Sequence, residues 1–122
     1  MKYFRCEHCG NIMELIEESG VPVMCCGKNM TELIPGTSDG AQEKHVPVVS
    51  VDGDKVTVMV GAVEHPMLKE HYIQWITIET TNGSQRRKLE YTDKPRAEFK
   101  LADGERFVAA YEYCNIHGLW KA

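Results

Sequence analysis

Hydrophobic positions along this chain recur with a period of two. Lys55–Val60 alternates well, with Val56, Val58 and Val60 on one face. Residues 46–51, 72–80, 86–91, 96–101 and 107–113 carry β-branched and aromatic residues in runs of strand length, so each is predicted to be a strand. Shorter β-like pieces fall at 3–5, 12–15, 21–24 and 30–33. No segment holds a helical period and no internal repeat is visible. Residues 34–40, Ile-Pro-Gly-Thr-Ser-Asp-Gly, read as a linker, which places a domain boundary near residue 37. The expected fold is all-β: a small metal-binding β domain over residues 1–36, then an immunoglobulin-like antiparallel β-sandwich over 37–122.

The turns add a topological argument. Asp52-Gly53, Asn82-Gly83 and Asp103-Gly104 are tight-turn signals. If each reverses the chain, the glycine turns share one end of the sandwich. The opposite end then carries His45, the loop with His65 and His71, and the segment with Cys114 and His117. Every histidine except His8 is thereby predicted to converge with the one cysteine outside the first 36 residues.

Composition narrows the classes. The 122 residues have a formal net charge of −4, which argues against nucleic acid as the main partner. No apolar run approaches a membrane span, and Met1–Cys6 has no apolar stretch of the kind that opens a secretory signal, so a cytoplasmic protein is expected. In that compartment, five cysteines point to metal ligation or redox chemistry rather than a disulfide framework.

Four of the five fall in the first domain. Cys6-Glu7-His8-Cys9-Gly10 is a C-x-x-C with glycine after it, and Cys25-Cys26-Gly27 supplies a second pair. About 35 residues bury too little core to fold unaided, so a metal cross-link is the expected remedy. Four thiolates make a tetrahedral sulfur site for zinc or iron. Structural zinc is the plain reading, but zinc ribbons use two C-x-x-C arms, and two adjacent cysteines should distort the tetrahedron. His8 is expected to be an exposed loop residue.

The convergent set has different chemistry. Four imidazoles and one thiolate suit iron better than zinc, which prefers four ligands. With nitrogens around an equator and sulfur on one axis, the opposite axis stays open for a small ligand. Ferrous iron with one thiolate is net positive, and Lys44 beside His45 adds charge, so a small anion is attracted despite the overall −4. The set therefore points to one-electron chemistry on a small oxygen species.

On these residues the chain resembles desulfoferrodoxin, the two-iron form of superoxide reductase, over essentially its whole length. Cys6-x-x-Cys9 with Cys25-Cys26 is similar to the desulforedoxin module. Glu43-Lys44-His45-Val46-Pro47, Gly61–Met67, His71–Trp75 and Tyr113–Gly118 are similar to the family's active-site motifs. The resemblance implies two irons per chain: one held by Cys6, Cys9, Cys25 and Cys26, the other by His45, His65, His71 and His117 with Cys114 on the axis. It implies that Lys44 attracts superoxide and orders water for proton delivery, and that Glu43 occupies the sixth position once iron is oxidised. The implied reaction is superoxide plus one electron plus two protons giving hydrogen peroxide, with re-reduction by an external donor such as rubredoxin, in a homodimer.

A non-catalytic two-iron electron carrier is the alternative, and an open coordination position separates it from an enzyme. Trp75 and Trp120 are expected to pack around the core or the site. Arg86-Arg87-Lys88 reads as a solvated strand, with docking of an acidic electron carrier as its other use.

Overall fold

The computed structural model describes residues 1–122. The chain divides into two compact units, Met1–Ile34 and Pro35–Ala122.

In the first unit, β1 (Lys2–Arg5) is the centre of a three-stranded antiparallel sheet between β2 (Ile12–Leu15) and β5 (Thr31–Leu33). The two-residue strands β3 (Met24–Cys25) and β4 (Lys28–Asn29) form a separate hairpin. The sequence pattern placed a strand at 21–24. Pro22, which cannot donate to a ladder, stands in that segment, and pairing begins only at Met24. Only Tyr3, Cys6 and Met30 are buried here. So small a core leaves the cysteine cluster as the principal cross-link available to this unit.

The second unit is a β-sandwich of seven strands. One sheet has β7 (Lys55–Val60) between β6 (Pro47–Asp52) and β10 (Arg96–Lys100). The other has the order β12-β11-β8-β9, formed by β8 (Ile73–Thr80), β9 (Gly83–Lys88), β11 (Phe107–Cys114) and β12 (Gly118–Lys121). The 61–72, 89–95 and 101–106 connections each cross between the sheets. Val56, Val58 and Val60, with Phe99 from the neighbouring strand of the same sheet, pack against Ile76, Ile78 and Ala110 of the other sheet, all essentially excluded from water. Each such aliphatic side chain contributes roughly 1.5–3 kcal/mol by burial. Cys114 belongs to the same apolar cluster.

Three departures from the sequence reading stand out. The second strand of the Asn82-Gly83 hairpin starts at Gly83 and ends at Lys88, not 86–91, because the ladder to β8 resumes at once at Thr80↔Gly83. A further strand, β12, follows the Cys-His loop and pairs with β11 from Cys114↔Gly118 to Tyr111↔Lys121. The segment read as linker is followed by one helical turn, α1 (Gln42–His45), too short to produce a periodic signal.

Candidate metal centres

The turn through Cys6–Asn11 is closed by two backbone bonds: Gly10 N–H donates to the Cys6 carbonyl (2.9 Å), and Cys6 N–H to the Asn11 carbonyl (2.9 Å). This leaves Cys9 N–H aimed at Cys6 Sγ at 3.5 Å. On the other arm, Cys26 takes a left-handed φ of 53°, which turns two adjacent cysteines toward one point. All four sulfurs lie within 4.8 Å of one another, and none is in a disulfide. Cys9 Sγ is 3.6 Å from Cys25 Sγ, and Cys25 Sγ is 3.9 Å from Cys26 Sγ. Sulfurs each about 2.3 Å from a shared tetrahedral centre are about 3.8 Å apart, so the cluster has the dimensions of a metal-thiolate site.

The thiols have unequal acidities. The Cys9 N–H, helped by that of His8, pulls the Cys6 thiol down to about 6. Crowding by Cys9, Cys6 and Cys25 pushes Cys26 up to about 12. Four neighbouring sulfurs resist ionising together, and a cation among them removes that resistance. Asn11 Nδ2 points at Cys25 Sγ at 3.7 Å and His8 is exposed.

In the second unit, one helix, one loop and one turn bring the histidines together. Helix α1 delivers His45, the 61–72 loop delivers His65 and His71, and the β11–β12 turn delivers His117 beside Cys114. The ligand atoms of His45, His65, His71 and Cys114 lie within 4.8 Å of one another. His117 is outside that set, but its ring completes the circuit. Ring centroids are 4.7 Å apart for His45–His65 and His65–His71, 5.1 Å for His71–His117 and 4.8 Å for His117–His45. The planes meet at 71–85°, so each ring presents its edge to its neighbour's face. Corners of a square with such edges are about 3.4 Å from its middle, and an imidazole with Nε2 about 2.1 Å from a metal has its centroid about 3.2 Å away. The circuit is therefore the size of four imidazoles around one ion.

Hydrogen bonding points the same way. His45 Nδ1 donates to the Ala41 carbonyl (2.8 Å) and His65 Nδ1 to the Pro66 carbonyl (2.6 Å). Both bonds fix the tautomer that leaves the Nε2 lone pair free. Nε2 of His45, His65 and His71 is buried with no hydrogen-bond partner. Buried polar atoms without partners are costly, and an ion at the centre of the circuit satisfies all three. Burial, reinforced by the mutual proximity of the rings, holds His45, His65 and His71 below the usual imidazole range, His65 at about 4. The rings are thus neutral, as ligation requires. Burial pushes the Cys114 thiol up, opposed by the N–H groups of His117 and Ile116. Those N–H groups are the donors that stabilise a thiolate once a cation is present.

Several positions that hold the site carry no ligating chemistry. A β-bulge shifts the β11–β8 register between Tyr113↔Trp75 and Cys114↔Ile73, which turns Cys114 into the interior. Asn115 clips the histidine loop: its Oδ1 accepts Tyr72 N–H (2.9 Å) and its Nδ2 donates to the Glu70 carbonyl (3.0 Å), one residue either side of His71. Gly61 lets α1 approach, since a Cβ there would be 2.6 Å from the Glu43 carbonyl oxygen. Gly40 packs against His45, Trp120 and His117, each within 3.2 Å of where a Cβ would sit. Trp120 stacks on His45 at 4.9 Å and donates Nε1–H to the His117 carbonyl (2.9 Å). Trp75 lies parallel to Tyr113 at 5.7 Å, beneath Arg86. Glu43 and Lys44 are exposed on α1, and neither makes an ion pair. Glu112, two residues before Cys114, is a fully buried carboxyl that burial pushes up to about 9.

The family model described as "Desulfoferrodoxin" matches residues 37–122, and "Desulfoferrodoxin, N-terminal domain" matches 1–33. The desulfoferrodoxin of Nitratidesulfovibrio vulgaris is 44% identical over 98% of this chain and 93% of its own. The superoxide reductase of Pyrococcus horikoshii is 37% identical over 70% of this chain and 89% of its own. Among solved structures, the superoxide reductase from Treponema pallidum superposes with a TM-score of 0.83 at 36% identity, covering 99% of this chain and 97% of the other. The one-iron superoxide reductase from Giardia intestinalis superposes with a TM-score of 0.57 at 32% identity, covering 66% of this chain and 95% of the other. With two donor sets of these dimensions and relatives alike over nearly its full length, the chain belongs to the desulfoferrodoxin family.

Proposed function

We propose that this chain is a superoxide reductase with two irons, one among Cys6, Cys9, Cys25 and Cys26 and one among His45, His65, His71, His117 and Cys114. The observation that carries the reading is the closed circuit of four imidazoles, three with buried and unpartnered Nε2 atoms, beside a buried cysteine. When bound there, iron supplies one electron and a coordination position that five protein ligands leave open.

The chain's own groups do the rest. The Ala41 and Pro66 carbonyls hold two imidazoles in the ligating tautomer. Cys114 presents its sulfur from the apolar interior, where water does not compete for it, and the N–H groups of Ile116 and His117 stabilise its negative charge. Lys44, exposed and unpaired one residue before His45, draws the anion in and orders the water that passes on two protons. Glu43, exposed in the same turn, would be the carboxylate that takes the remaining position once iron is oxidised. Superoxide, one electron and two protons give hydrogen peroxide.

The electron is restored by an external donor of the rubredoxin type, and the protein works as a cytoplasmic homodimer. No helix is long and apolar enough to cross a membrane. The donor and the homodimer rest on the family resemblance, and the cytoplasmic location on the absence of an apolar stretch in Met1–Cys6.

Mixing the reduced protein with superoxide, without a donor, tests the reading. One peroxide per superoxide consumed, with no added oxygen, is expected. Half a molecule of oxygen per superoxide would identify a dismutase, and no consumption would leave an electron carrier.

A further inference from the structure

Beside the metal centre lies a concavity of about 470 Å³ whose wall includes His65, Lys44 and Lys94. Lys94 comes from the β9–β10 loop, remote in sequence from every ligand. The loop is tied to the site through one residue. Val60 N–H donates to the Pro95 carbonyl (2.8 Å), and the Val60 carbonyl accepts His65 N–H (2.9 Å). Within the loop, Asp93 Oδ2 accepts Glu90 N–H (2.7 Å), Asp93 N–H donates to the Glu90 carbonyl (3.0 Å), and Arg96 N–H donates to the Lys94 carbonyl (2.8 Å). Lys94 is therefore carried on a fixed turn.

The charges of the wall matter more than the count of lysines. Glu64 and Asp93 line the same concavity. With Lys44 alone the wall would be net negative and would oppose an approaching anion. Lys94 brings it to neutrality, so the wall no longer opposes the pull of the positive centre on the anion. Lys94 makes no ion pair, unlike Lys2, Lys55 and Lys100.

We infer that Lys94 is a second steering residue for the anionic substrate, acting from the rim by cancelling the carboxylate charge of Asp93 and Glu64. The inference rests on the superoxide reductase reading and deepens it, adding a residue that no ligand motif contains. Lys94 does not touch the reacting atoms. Its effect is on the encounter.

The test uses the full iron-loaded chain. At low salt, Lys94→Ala should lower the second-order rate constant with superoxide about twofold and Lys94→Glu about fourfold, the scale of a unit charge in water near the approach path. Asp93→Asn should raise it about twofold, and the double variant should return close to the wild type. All should converge as salt shortens the Debye length. Lys100→Ala, the same change of net charge near the Asp52-Gly53 turn at the other end of the sandwich, should leave the constant unaltered.

A second readout does not depend on superoxide. Binding of azide to the oxidised protein, followed by the shift of its visible absorption, should weaken in the same order. If the chain reduces no superoxide, the proposed function fails and the azide series still decides the role of Lys94. Equal constants in wild type, Lys94→Ala and Lys94→Glu would overturn the inference. So would a Lys100→Ala effect as large as that of Lys94→Ala, because net charge alone would then explain both.

Discussion

Asn115→Ala tests whether the site is held by side chains that ligate nothing. The wild-type amide spans the two residues flanking His71, accepting from Tyr72 N–H at 2.9 Å and donating to the Glu70 carbonyl at 3.0 Å. The first bond is partly buried and the second is exposed. Losing the first leaves a donor short of a partner, about 1–2 kcal/mol, and losing the second costs about 0.5 kcal/mol. The sum, about 2 kcal/mol, corresponds to a Tm about 10 °C lower for a unit of this size. The His71 loop also loses its anchor to the Cys114 turn, so metal affinity should fall about 10–100-fold, as for other supports of ligating groups. Thermal unfolding and competition with a chelator measure the two effects. Asn115→Asp keeps the acceptor and loses the donor, so it should fall between alanine and wild type. An alanine variant with unchanged Tm and unchanged metal affinity would refute the reasoning.

Other consequences follow from the same geometry. Gly61→Ala places a methyl 2.6 Å from the Glu43 carbonyl oxygen, and the conflict is with backbone. It should displace α1, weaken binding at the histidine centre and leave the four-cysteine centre's absorption intact. Cys26→Ser removes one of four thiolates from a unit with three buried residues. Limited proteolysis should cut within residues 1–34 while the second unit stays protected. Glu105 accepts from Thr80 Oγ1 (2.5 Å) and from Ala102 N–H (2.8 Å), and these bonds hold its carboxyl below the usual range. A depressed carboxyl pKa contributes stability above 4.5 that is lost as pH falls through the lower folded value. Glu105→Gln should therefore lower the Tm at pH 7 and make no difference well below pH 4.5, as pH-dependent melting would show.

The sandwich was legible because the alternating valines of β7 and the Asp-Gly and Asn-Gly turns are local signals of a half-buried strand and a tight reversal. Counting reversals also placed His45, His65, His71, Cys114 and His117 at one end, where the structure assembles them. What was not legible depends on contacts between distant segments. Helix α1 is a single turn whose place is set by close approach to Gly61, not by periodicity. The strand β12 is four residues long and is recruited by β11. Gly40 reads as linker until His45, His117 and Trp120 surround it. Asn115 lies between Cys114 and His117, whose chemistry draws the eye, and only the fold shows that its amide reaches the chain on both sides of His71. Glu112 alternates with Tyr111 and Tyr113 as an outward residue would, yet both faces of β11 are covered there and the carboxyl is buried.

The central claim is that one iron is shared by four imidazoles and Cys114. X-ray absorption at the iron edge, on protein whose four-cysteine centre has been removed by Cys9→Ser with Cys26→Ser, tests it most directly. The account predicts one sulfur and four nitrogen neighbours, with the sulfur lost in a further Cys114→Ser variant. A centre with no sulfur neighbour, or one whose nitrogen count is unchanged by His117→Ala, would contradict it.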